Sequence, residues 1–225
     1  MKVILFGATG MVGQGALREC LLAPDVESVL AVGRTPSGRS HPKLSELVVT
    51  NLHDLAPHEA ALTGFDACLF CLGVSAAGLD EAAYRRVTHD LTLSVAGHLS
   101  RWNPGMIFVY VSGVGTDSSE RGRSMWARVK GETENALLRL PFRAAHMFRP
   151  AYIQPVHGAA SRTRWLRRLN ALATPFFPVL DRLAPRWVTT TERLGLAMLE
   201  AARGRITKPV LEPGDIDALW RTMAR

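Results

Sequence analysis

Val3-Ile-Leu-Phe6 is an apolar run that ends in three glycines, spaced Gly7-x-x-Gly10-x-x-Gly13, before a helical pattern begins. No other feature constrains the chain as much, because the succession reads as strand, tight turn, helix. Glycine is required where a Cβ would block the turn or the approach of another group. Backbone N–H groups then converge at a helix N-terminus whose dipole is positive, which suits a phosphate-type anion. The stretch predicts that Gly7, Thr9, Gly10, Met11, Val12 and Gly13 cradle a pyrophosphate, with the first gap one residue wider than in G-x-G-x-x-G.

The rest of the chain follows the alternation this start implies. Ala16, Leu17, Cys20 and Leu21 carry the first helix to Pro24, and Val29 to Val32 is a second strand. About 20 residues past the glycines, a dinucleotide-binding chain meets the adenosine ribose. Here it reads Val32-Gly33-Arg34-Thr35, with no acid to accept the ribose 2′-hydroxyl bonds. The Arg34 guanidinium suits a 2′-phosphate, and Arg39 and Lys43 add positive charge to the same loop, which predicts NADP over NAD; a solvated basic loop is the plainer reading.

Leu47 to Thr50 reads as a third strand, followed by Asp54-Leu55. Asp54 is a candidate for the adenine edge with Leu55 packed on the ring, and equally a helix-start carboxylate before Pro57. The fourth strand, Ala67 to Leu72, closes on Gly73 and small residues, placing Leu72 and Gly73 where a cofactor crosses the strand ends. A helix from Leu79 to about Trp102 carries Ala83, Val87, Leu91, Val95 and Leu99 as a core stripe. Met106 to Val111 is a fifth strand ending at Ser112, and a helix from Ser124 to Leu140 sets Trp126, Lys130, Glu134 and Leu138 near one face. Phe142 to Phe148 is a sixth strand, leaving by Arg149-Pro150.

This alternation predicts an α/β fold, a doubly wound parallel sheet of the Rossmann kind. Residues 1–154 form the nucleotide-binding domain, and 155–225 form a small, mainly helical substrate-side region packed on it. That region holds the basic run Arg162-x-Arg164-Trp165-x-Arg167-Arg168, the breaker Pro175-Phe176-Phe177-Pro178, a capped helix from Thr189-Thr-Thr191, a short strand Val210-Leu211-Glu212 and a terminal helix from Asp215.

A net charge of +7 favours anionic partners without choosing among them. No helix-turn-helix, zinc or single-strand signature accompanies the basic run, so no nucleic acid is expected. No apolar run reaches the length of a membrane span, so stable membrane insertion is not expected either. Cys20, Cys68 and Cys71 have no disulfide-like spacing, which predicts a reducing, cytoplasmic location. Cys68 and Cys71 lie three apart on a strand and so face opposite sides, which predicts structural thiols and no metal.

The glycine turn with Ala8-Thr9, Arg34, Asp54-Leu55, Ser112, Lys130-Gly131-Glu132 and Arg149-Pro150 together resemble the short-chain dehydrogenase/reductase superfamily, in particular its atypical and extended, epimerase/dehydratase-like branch. The likeness covers residues 1 to about 155 well and the rest loosely. It implies a nicotinamide cofactor, a small-molecule substrate and, by analogy, a homodimer through two long helices. It also implies a serine that orients substrate, a tyrosine that exchanges a proton with it, and a lysine that lowers the tyrosine pKa and holds the nicotinamide ribose. Ser112 matches the serine and Lys130 the lysine, while Trp126 occupies the tyrosine position. An indole N–H has no usable acid–base equilibrium near neutral pH. Three readings follow: an NADP-dependent oxidoreductase or epimerase-like enzyme with a replaced donor such as Tyr152, Tyr84, His89 or a water on Ser112; a non-catalytic NADPH-sensing module; or a reductase of activated double bonds in which Lys130 or solvent supplies the proton.

Overall fold

The computed structural model describes residues 1–160, 177 and 182–223. Seven parallel strands form one sheet in the order β3-β2-β1-β4-β5-β6-β9: β1 Lys2–Phe6, β2 Ser28–Gly33, β3 Leu44–Val48, β4 Ala67–Phe70, β5 Ile107–Val111, β6 Ala144–Phe148 and β9 Val210–Leu211. Two further short strands, β7 Tyr152–Gln154 and β8 Val188–Thr190, pair in parallel beside it. The helices are α1 Met11–Leu22, α2 Glu59–Leu62, α3 Glu81–Arg85, α4 Leu91–Trp102, α5 Met125–Leu138, α6 Thr191–Ala202 and α7 Pro213–Met223. The doubly wound parallel sheet expected from the alternation is the observed architecture.

Successive side chains of β1 point to opposite layers, as strand geometry requires. Val3 and Leu5 pack with α1 and α6, whereas Ile4 and Phe6 pack with Leu62, Val95 and Leu99 under α2 and α4. Both faces of the central strands are thus covered, which is why their sequences read as continuous apolar runs. On the α1 side the cover is very close: a Cβ on Gly15 would run into Thr191 of α6, and one on Gly195 would meet Ala16 at 3.2 Å. The segment after residue 154 therefore supplies a layer helix and an edge strand to the same sheet.

Three local expectations are corrected. The third strand lies at Leu44–Val48, earlier than Leu47 to Thr50, because an edge strand with one neighbour tolerates the polar Ser45 and Glu46 that hid it from an apolar count. The long helix contains a π turn, Arg86–Asp90, between α3 and α4. One extra residue per turn rotates the apolar stripe by about 100°, so Val87 leaves the core stripe while Val95 and Leu99 stay in it. The parallel pair β7–β8 was not foreseen, since three-residue strands carry no periodicity. The basic run Arg162, Arg164, Trp165, Arg167 and Arg168, with Pro175, Phe176 and Pro178, lies outside the described residues.

Candidate functional site

The strand order reverses between β1 and β4, and the glycine turn sits there, at the carboxyl ends of the strands. Gly7 has φ +81°, and a Cβ on it would stand 2.8 Å from the Cys71 carbonyl, so only glycine lets this turn lie against the end of β4. A Cβ on Gly13 would overlap the Gly7 carbonyl oxygen, which is how α1 starts directly beneath the turn. Gly10 caps α1 without a side-chain bond, and the first turn holds no acid. The Val12 side chain packs toward the core.

Two adjoining cavities open from this turn. One of about 70 Å³ is lined by Gly7, Thr9, Gly33, Arg34, Ser37 and Glu46; the other, about 410 Å³, by Gly10, Asn51, His53, Gly73, Val87 and Leu91 among others. Gly7, Thr9, Arg34, Leu52 and Leu72 border both. The π turn is what brings Val87 and Leu91 to the second cavity, a use of this bulge that recurs at functional sites.

Arg34 is exposed at the junction of the cavities and makes no hydrogen bond or ion pair among the described residues. Lys43 does not join it, because its ammonium donates to the Ala23 carbonyl at 2.7 Å. Arg39 instead lines a separate small crevice with Gln14 and Glu192. Sequence reasoning missed Glu46, an edge-strand residue with no motif around it; its carboxylate shares the smaller cavity with Arg34 and accepts the Ser37 N–H at 2.7 Å.

Leu55 is corrected: it is wholly buried in the core, and Leu52 forms the cavity wall expected of it. The chain turns at Asn51–Asp54, which sends the later leucine inward. Asp54 lies away from both walls and accepts the Ala56 N–H at 3.3 Å, the helix-start alternative. Cys68 and Cys71 face opposite layers, and burial raises both thiols above their ordinary range.

Beyond Gly73, parallel pairing of β4 with β5 puts Ser112 beside the cavity end. Its hydroxyl, however, turns into the protein and donates to Glu134 Oε1 at 2.5 Å, with the Phe148 carbonyl 3.1 Å away. The Ser112 proton is thus committed to a buried carboxylate. Lys130 Nζ donates to the Ser112 carbonyl. Burial lowers the Lys130 pKa to about 8, opposed by the Glu134 charge one turn on. A Cβ on Gly131 would overlap the Asp117 carbonyl, so this glycine lets the loop after β5 close over α5.

Trp126 stands one helical turn before Lys130, part-exposed, with its ring edge against Gly115. The other donors considered are occupied or enclosed. Tyr84 is 1% exposed and burial raises its pKa; Tyr152 donates to Gln154 Oε1 at 2.8 Å; His89 Nδ1 is 2.8 Å from Asp90. Lys130, held on the Ser112 carbonyl past the end of β5, has its pKa brought down to about 8 by burial.

No family model matches the chain. It is 28% identical to the protein named fmp52, mitochondrial, of Emericella nidulans, over 97% of this chain and 94% of that one. It is 31% identical to fmp52-1, mitochondrial, of Aspergillus terreus, over 68% and 66% respectively. A relative from Eremothecium gossypii is likewise named a mitochondrial protein. These names overturn the cytoplasmic expectation: unpaired cysteines indicate only that no disulfide framework is built, and they do not identify a compartment. Among solved structures, the Bordetella bronchiseptica enzyme WbmF in complex with NAD⁺ superposes with a TM-score of 0.67 at 15% identity, covering 99% of this chain and 78% of that one. A short chain dehydrogenase family protein from Francisella tularensis gives 0.66 at 13%, covering 96% and 98%.

Proposed function

We propose, from the premise that this chain has the fold of the short-chain dehydrogenase/reductase superfamily, that it binds NADP(H) and acts on a small molecule as an oxidoreductase or epimerase-like enzyme. The observation that carries this reading is the Arg34 guanidinium, unpaired among the described residues, at the mouth shared by both cavities, beside a turn from which Cβ atoms are excluded. Gly7, Thr9, Gly10, Met11, Val12 and Gly13 would hold the pyrophosphate on backbone N–H groups, Arg34 the 2′-phosphate, and Leu52, Leu72 and Gly73 the walls, with Lys130 toward the nicotinamide ribose. A bound nicotinamide supplies or takes the hydride. The chain's own part is to exclude water with Leu52, Val87 and Leu91 and to hold a proton on Lys130.

Titration followed by nucleotide fluorescence tests the cofactor. NADPH is expected to bind about tenfold or more tightly than NADH, because a guanidinium–phosphate pair contributes on the order of 1.5–3 kcal/mol. Arg34→Ala should level the two. Equal affinities in the unaltered protein would remove the phosphate preference, and Glu46 in the same cavity is the residue to substitute next.

Turnover is tested by pH. If Lys130 donates the proton, reduction of an enone or carbonyl falls as pH rises through about 8, since only the ammonium carries the proton to give. A rate that does not change across that pH would assign the proton to solvent. A second reading, an NADPH-sensing module without turnover, is supported by a tryptophan, Trp126, one helical turn before Lys130, while Tyr84 and Tyr152 are enclosed or engaged. Inactivity of the protein together with turnover in Trp126→Tyr would select it. The names of the relatives point this chain toward the mitochondrion, which cell fractionation would check.

A further inference from the structure

Glu134 lies on α5 one turn beyond Lys130 and is 0% exposed, while Arg149, just past β6, is 7% exposed. A carboxylate removed from water in this way needs both charge and hydrogen bonds to offset the loss of hydration. Arg149 Nε donates to both Glu134 oxygens at 3.1 Å, its Nη2 also donates to Oε2, and Ser112 donates to Oε1. The same guanidinium reaches Glu212 at 2.8 Å and Ser118 Oγ at 2.5 Å. One carboxylate thus fixes the Ser112 side chain, while the Ser112 N–H is held by the Phe148 carbonyl at 2.8 Å. The Ser112 carbonyl is the acceptor of the Lys130 ammonium.

We propose that Glu134 is a positioning residue for Lys130, acting through Ser112 and as the negative charge that faces the ammonium from the next turn of the helix. If the cluster served stability alone, its bonds would end on Arg149. Instead one branch leads through Ser112 to the lysine. The charged and titratable groups around the cluster are Glu134 on the lysine's own helix, Arg149 after β6, Glu212 after β9, and the Tyr84 and Tyr110 phenols, which burial keeps neutral. Arg128 and Glu132 of α5 are engaged elsewhere, with Glu81 and Arg85.

The proposal rests on reading Lys130 as a functional lysine, but its test needs neither cofactor nor substrate, so its failure would leave NADP binding standing. Trace acetic anhydride labelling across a pH series, with Lys130 acetylation read by mass spectrometry, gives the amine's own midpoint, expected at about 8 in the unaltered protein. Glu134→Gln should lower it by about one pH unit or more, because an opposite charge at this range supports the charged form. Glu134→Asp should return most of the shift. Glu134→Gln/Arg149→Met removes both charges, leaves no buried ion alone, and should still show a lowered midpoint, though less lowered than in Glu134→Gln because the Arg149 charge is gone as well. An unchanged midpoint in either glutamine variant would overturn the proposal, as would failure of the double variant to fold, which would make the cluster a purely structural one.

Discussion

Gly13→Val is expected to abolish dinucleotide binding and to destabilise the fold, the largest effect of any single substitution at the turn. A Cβ at this position overlaps the Gly7 carbonyl oxygen, and its next contact is the Ala8 backbone at 3.1 Å. Backbone on both sides cannot rotate away as a side chain would. The helix must therefore lift from β1, and overpacking of this kind costs about 1–3 kcal/mol. Lifting α1 also removes its N-terminal N–H groups from the anion, and a loss of 100-fold or more in NADPH affinity corresponds to about 2.7 kcal/mol. Isothermal titration and thermal melts measure the two effects separately. Gly97→Ala is the contrast: no atom lies within 4 Å of the new Cβ, and it should stabilise α4 by about 0.5–1 kcal/mol without touching binding. Normal NADPH affinity in Gly13→Val would refute the role assigned to the turn.

Arg149→Met should cost about 3–5 kcal/mol, because it leaves the Glu134 carboxylate buried and without its cation. For a chain of 225 residues each kcal/mol lowers the melting temperature by about 2–4 °C, so a fall on the order of 10 °C is expected. Adding Glu134→Gln should recover a large part of it, since the pair removed together leaves only a weaker unmet polar group. Lys208→Met, at the more exposed Lys208–Asp215 pair, should change the melting temperature little by comparison. A melting temperature unchanged by Arg149→Met would mean that the carboxylate is reached by water despite its enclosure.

Much of this architecture was legible in the chain. The parallel sheet follows from apolar runs alternating with amphipathic helices, and the turn follows from three glycines whose spacing the backbone requires. Gly131 was legible only as part of a motif; its reason, the Asp117 carbonyl against α5, is a contact between distant segments. Glu134 was visible as a member of the Lys130 face but not as part of an ion cluster, because Arg149 meets it from beyond β6 and is itself met by Glu212 from beyond β9. Leu52 and Leu55 look alike in sequence, and the tight turn between them decides which lines the cavity. Val87 illustrates the same point within one helix, where a π turn re-aims a residue that strict periodicity places in the core.

By itself the sequence determined the layer order of this protein, the glycine turn and the absence of a tyrosine one helical turn before Lys130. Those properties are local, set by backbone sterics, side-chain periodicity and residue identity. Only the tertiary structure decided that the Ser112 hydroxyl faces inward to Glu134, that Lys43 is tied away from Arg34, and that burial lowers the Lys130 pKa to about 8. Each depends on which charges and carbonyls meet across the sheet ends, and on how far water is shut out there. Strands far apart in sequence create that environment when they become neighbours, so no single stretch of the chain contains it.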